Sequence, residues 1–106
     1  MEMTHTADNR ELTIRISGEL DHHAARNAMR TIREWIERSM PRNTILDFSG
    51  LTFMDSSGIA VVIRAKRHME ALSGSLSVVN VPRQAARVLE TAGLDRYLNL
   101  TPGGEI

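Results

Sequence analysis

The residue types able to do chemistry in this chain of 106 residues gather in one run, Met54-Asp55-Ser56-Ser57-Gly58, where a carboxylate precedes two hydroxyls and a glycine. A serine so placed can act as a nucleophile if an imidazole takes its proton, or can receive a phosphoryl group from a separate enzyme. It can also do no more than help to start a helix, with Asp55 or Ser56 accepting from backbone N–H groups and Gly58 allowing close packing. The bases on offer are His22, His23 and His68. A serine hydrolase is a poor fit, because the chain has no Gly-x-Ser-x-Gly elbow and no glycine-rich oxyanion segment. Consecutive histidines seldom point at one ion, so His22 and His23 read as solvated or capping residues rather than metal ligands. Cysteine is absent, which removes disulfides, thiolate nucleophiles and thiolate metal sites. No metal or other cofactor is expected.

A short succession of elements must position these side chains. Leu12-Thr13-Ile14-Arg15-Ile16-Ser17 alternates apolar and polar, which predicts a strand with one buried face. Residues 2–7 read as a weaker strand and Asp8-Asn9-Arg10 as a turn, so the chain opens with an antiparallel hairpin. Gly18 then ends the strand, and Asp21 caps a helix that runs to about Ser39 with Ala25, Ala28, Met29, Ile32, Trp35 and Ile36 on its apolar face. Pro41 stops that helix. Thr44-Ile45-Leu46-Asp47-Phe48 is nearly continuous in apolar content, as for a strand covered on both faces. A loop then leads to a second helix over Ser57–Leu72, apolar at Ile59, Ala60, Val62, Ile63 and Met69. Leu76–Val79 is a further strand, and a third helix from about Pro82 to Gly93-Leu94 buries Ala85, Val88, Leu89 and Ala92. Tyr97–Leu100 offers a short last strand, and Thr101–Ile106 reads as a frayed tail. The order predicts one α/β domain: a mixed sheet of four to five strands opened by an antiparallel hairpin, with three or more packed helices. In such folds the turn after a parallel strand and the helix start that follows it are the usual place for a ligand or modification site, and Asp55-Ser56 falls there.

Composition narrows the partners. Hydrophobic residues at 42% and charged residues at 25% are ordinary globular values, so the chain should bury a core. Thirteen cations balance thirteen anions, which removes the overall attraction that nucleic acid or an anionic membrane relies on. The apolar run Ile59–Ile63 is far too short to span a bilayer, and the first residues lack the basic start and apolar stretch of a secretion signal, so a cytoplasmic protein is expected. Arg26, Arg30 and Arg33 make a basic stripe on the first helix, but Glu34 and Glu37 lie nearby, and a solvated face is the expectation.

Leu46 through Gly58 resembles the signature loop of the STAS domain, the family of bacterial anti-sigma factor antagonists. Gly18-Glu19-Leu20-Asp21-His22-His23 is similar to the run that the sporulation branch, the antagonists of anti-sigma F factors, carries after its second strand. The Ala92-Gly93-Leu94 ending of the third helix is similar too. The likeness covers about residues 10–100, so a STAS domain over 1–100 with a tail over 101–106 is expected.

That resemblance implies a module with no catalytic activity of its own. Such a module binds an ATP- or ADP-bound anti-sigma factor that is also a serine kinase, and binding frees the sigma factor. In the family the first serine of the Asp-Ser-Ser-Gly run accepts phosphate, which carries over to Ser56, and a serine phosphatase restores the free form. Asp21, His22, Met54, Asp55, Ser57 and Gly58 are then the candidate partner-binding residues around it. Asp21 is either a contact for a basic residue of the kinase or an ordinary cap, and Met54 with Phe53 is either a greasy contact or buried core. The alternative within the fold is a non-switching STAS accessory module of lipid-transport or scaffold type, which has no need of a phosphorylatable Ser56. Relatives commonly carry a further helix after the last strand, whereas this chain ends at Ile106, as if shortened.

Overall fold

The computed structural model describes residues 1–103. Its elements are β1 (Glu2–Asp8), β2 (Glu11–Leu20), α1 (His22–Ser39), β3 (Asn43–Met54), α2 (Ser56–Ala71), β4 (Ser75–Val81), α3 (Arg83–Thr91) and β5 (Asn99–Pro102). The five strands form one sheet in the order β1-β2-β3-β4-β5, with β1 antiparallel to β2 and every other pair parallel. The opening hairpin is closed by Asn9 and Arg10, both at positive φ, the backbone that a two-residue hairpin turn requires.

Alternation governs the sheet. Leu12, Ile14 and Ile16 of β2, Leu46 and Phe48 of β3, and Leu76 and Val78 of β4 are all buried and join one cluster with Ala28, Ile32 and Ile36 of α1 and Val61, Val62, Ala65 and Met69 of α2. The opposite face of β3 is less covered than its composition predicts, since Ile45 and Asp47 are only half-buried. Asp47 uses that setting to tie β3 to β4: it accepts from the Ser49 N–H at 2.9 Å and from Asn80 Nδ2 at 3.1 Å. Burial by itself raises the pKa of this carboxyl, but the Ser49 and Asn80 hydrogen bonds and the Arg15 charge outweigh it and hold Asp47 below its ordinary value.

Several expectations need correction. Gly18 does not end β2; at φ +86° it sits beside a register shift against β3, and the strand continues to Leu20. The supposed loop after Phe48 is largely strand, because β3 runs on through Gly50, paired with Ser17, to Met54, paired with Leu20. Pairing likewise extends past Leu100 to Pro102 opposite Val81, so Thr101 and Pro102 are strand rather than tail, while residues 104–106 lie outside the described part. On the helices, Ala60 and Ala92 are exposed and Ile59, Ile63 and Val88 half-buried. The buried stripe of α2 is instead Gly58, Val61, Val62, Ala65 and Met69.

Gly58 explains how α2 approaches the sheet. A Cβ there would stand 2.4 Å from Met54 Cγ and 2.8 Å from Met54 Sδ, so only a glycine lets the first turn close over the end of β3. Gly58→Ala is expected to lower stability by about 1–2 kcal/mol in chemical denaturation, with overpacking outweighing the helix-propensity gain. Combined with Met54→Ala it should cost less than the two single losses added, since the overlap is then relieved; strict additivity would show that Gly58 is not there for Met54. For Asp47, the folded-state pKa lies below the unfolded one, so its contribution is present above about pH 4 and fades as pH falls through the folded value. Urea titrations should therefore show wild type more stable than Asp47→Asn near neutrality, with the gap closing in acid; a gap independent of pH would contradict this.

Candidate functional site

Two strand-to-helix junctions lie side by side. Leu20 and Met54 are paired as the last residues of β2 and β3, each is followed by an aspartate, and each aspartate caps the next helix in nearly the same backbone conformation, φ −109°, ψ −171° at Asp21 and φ −107°, ψ −172° at Asp55. Strand ends in register, followed by turns of equal length, bring the two helix starts together. Asp21 Oδ1 accepts from the His23 and Ala24 N–H groups, both at 3.1 Å. Among the described residues nothing donates to its Oδ2, so the cap role and a contact role are compatible.

Asp55 serves both helices. Its Oδ1 accepts from the Ser57 N–H at 2.8 Å, capping α2, and its Oδ2 accepts from the His22 N–H at 3.1 Å, across the junction on α1. The Asp55 N–H in turn donates to the Leu20 carbonyl at 3.4 Å. Both helix dipoles direct their positive ends at this corner, and one carboxylate answers both.

Ser56, the first residue of α2, is exposed, and its hydroxyl has no hydrogen-bond partner among the described residues. No imidazole bonds to it; His22 and His23 are exposed and lie edge to face at 5.7 Å between ring centroids. The hydroxyl is thus exposed, with no base hydrogen-bonded to it among the described residues. Ser57 is half-buried, with its N–H committed to Asp55. Ser56 also stands at the edge of an open groove of about 360 Å³ between α2 and α3, lined by Ile59, Gln84, Arg87 and Val88 among others. Among the described residues, no group of three His, Asp or Glu is arranged to hold a metal.

The structure thus brings Asp21, His22, Asp55, Ser56 and Ser57 to one corner, but it removes two candidates from the surface. Met54 is 0% exposed, packed beneath α2, and it is its neighbour Phe53 that stands out at 41%. Gly58 is buried and its N–H is taken by the Asp55 carbonyl at 3.0 Å. Both lie beneath the site; strand alternation turns Met54 inward and Phe53 outward, and Gly58 faces Met54 from the first turn of α2. A residue that sequence reading missed is Gln84 in the first turn of α3. Its amide accepts from the Met54 N–H at 2.8 Å and donates to the Met54 carbonyl at 2.7 Å, replacing a neighbouring strand at the last residue before Asp55. Nothing local signals this, since a glutamine after Pro82-Arg83 looks like any solvated helix residue.

Replacing Asp55 by Ser keeps a cap for α2 but leaves no oxygen to reach His22. The expected result is a loss of about 1 kcal/mol, with the His22 amide exchanging with solvent about tenfold faster while α2 amides stay protected. Unchanged His22 protection would show that the bridge carries no energy.

Comparison with known proteins agrees with this architecture. The family model described as STAS domain matches residues 1–103. The chain is 34% identical over 87 residues to the anti-sigma F factor antagonist of Paenibacillus polymyxa, covering 82% of this chain and 74% of that protein. It is 33% identical over 87 residues to the protein of the same name from Lysinibacillus sphaericus, with the same coverage. Among solved structures, the anti-sigma factor antagonist SpoIIAA in its unphosphorylated form superposes with a TM-score of 0.80 at 30% identity, over 93% of this chain and 87% of that one. The phosphorylated form of SpoIIAA, a Bacillus cell fate determinant, gives 0.72 at 30% identity, over 93% and 90%. With the family model matching residues 1–103 and the SpoIIAA fold superposing over 93% of the chain at 30% identity, the chain belongs to the STAS domain family.

Proposed function

We propose that this protein is a phosphorylation-switched anti-sigma factor antagonist, with Ser56 as the phosphoacceptor. Unphosphorylated, it binds an anti-sigma factor that is also a nucleotide-bound serine kinase, and the sigma factor is released. Phosphorylation by that kinase ends the binding, and a serine phosphatase reverses it. The setting proposed is the cytoplasm of a sporulating bacterium, in keeping with the relatives named anti-sigma F factor antagonists. The observation that carries the reading is the free, exposed Ser56 hydroxyl at the start of α2, beside two capping carboxylates. Asp21, His22 and Ser57 are the proposed partner-facing neighbours, joined by Phe53 in place of Met54.

The physics of the switch is local. A phosphate on Ser56 adds about 1.5–2 negative charges next to Asp55. Against an acidic group or nucleotide phosphate of the partner about 6 Å away, the repulsion is about 1–5 kcal/mol for effective dielectrics between 80 and 20. A loss of about 1.4 kcal/mol is already tenfold in affinity. Within the protein itself the helix start welcomes an anion, so the fold can persist while the interface fails.

Labelled-phosphate transfer from a candidate kinase should reach wild type and Ser57→Ala but not Ser56→Ala, while Ser56→Ala retains binding and Ser56→Asp weakens it about tenfold or more by calorimetry. Incorporation into Ser56→Ala but not Ser57→Ala would move the acceptor by one residue. Binding indifferent to phosphorylation would favour a non-switching accessory module.

A further inference from the structure

The basic stripe of α1 is not neutralised by the acids that follow it. Arg26, Arg30 and Arg33 of α1 face Arg64, Arg67 and His68 of α2 across one open groove of about 750 Å³. All five arginines are exposed, and among the described residues no Asp or Glu approaches any of them within 4.0 Å. Glu37 turns instead to His68, at 3.8 Å, and Arg30 bonds only the neutral Asn27. In a chain whose charges sum to zero, this is a segregated cluster of five arginines with no carboxylate in direct ion-pair contact among the described residues.

We propose that the groove between α1 and α2 is a docking site for an acidic segment of a partner protein. Guanidinium groups fork onto carboxylates through two parallel hydrogen bonds, which suits rows of Asp or Glu. The groove also has an apolar floor, made by Met29, Ile32 and Val61, which serves a peptide with apolar side chains and has nothing to offer a sugar-phosphate backbone. From Arg26 to Arg33 the wall runs about 10 Å along the helix, enough for about two turns of a bound helix. The groove follows the flanks of the helices rather than their starts, so it stands apart from Ser56 and does not depend on its modification.

The test titrates the full chain with a fluorescein-labelled peptide carrying Glu at i, i+4 spacing and Leu between them on the same face, against the same peptide with Gln for Glu and against a short single-stranded DNA. The Glu peptide should bind, more weakly as salt rises, and the Gln peptide should not. Arg30→Glu/Arg64→Glu should weaken binding about tenfold or more with an unchanged melting curve, both sites being exposed. Ser56→Asp should bind the Glu peptide like wild type, which separates this site from the switch; a loss there would place the peptide at the helix starts and overturn the proposal. Equal binding of both peptides, indifference to the double reversal, or preference for DNA would overturn it as well.

Discussion

The Asp55 carboxylate is the constraint on which the functional corner of this fold depends. Parallel β2 and β3, ending in register, deliver two helices whose positive ends point into the same small volume. Left alone, such ends repel, and their first N–H groups lack partners. One oxygen of Asp55 accepts from α2 and the other from α1, so a single side chain offsets both costs and fixes the spacing of the two starts. Asp21 does the same for α1 only, with one oxygen. The difference between two aspartates in nearly identical backbone conformations is therefore one of reach: Asp55 spans two elements, Asp21 one.

What lies beneath that corner explains why chemistry at Ser56 can alter the surface and leave the core intact. Met54 is sealed under the first turn of α2, Gly58 lets that turn close down on it, and Gln84 clamps both polar groups of the Met54 backbone. The hydroxyl of Ser56 stands one residue away but on the outer side, bonded to nothing among the described residues. A charge added there meets solvent, a helix dipole and whatever docks, not a packing defect. In the proposed switch the signal is thus a change of electrostatic surface rather than a change of shape, and solved SpoIIAA structures of both phosphorylation states share this chain's fold.

Much of this was legible in the residues themselves, where the signal was local. The alternation at Leu12–Ser17, the aspartate ahead of His22 and the Pro41 stop each encode their element through a short-range rule, and the structure follows them. Gly18 misled because glycine marks a break in an isolated strand, yet here β2 and β3 absorb the irregularity together through register shifts. On α2, Val62 and Met69 are buried as their spacing predicts, but Ile59 and Ile63 are half-buried and Ala60 exposed, and the buried stripe runs instead through Gly58, Val61 and Ala65. Gln84 and the second bond of Asp55 had no local signal at all, being agreements between residues about thirty positions apart.

Charge shows the same limit most sharply. A sum of zero correctly describes the whole chain and says nothing about where the charges stand, and the fold separates them. Packing α1 against α2 in parallel sets Arg26, Arg30 and Arg33, a stripe that reads as solvated on α1 alone, opposite Arg64 and Arg67. The same packing sets Asp21 and Asp55 at the helix starts. The pair of helices therefore presents carboxylates at one end and guanidinium groups along its flank. The polarity is fixed by the parallel β-α-β connections, which start both helices at the same end of the sheet. A partner approaching this face meets both signs in a set order, which constrains its orientation as well as its affinity.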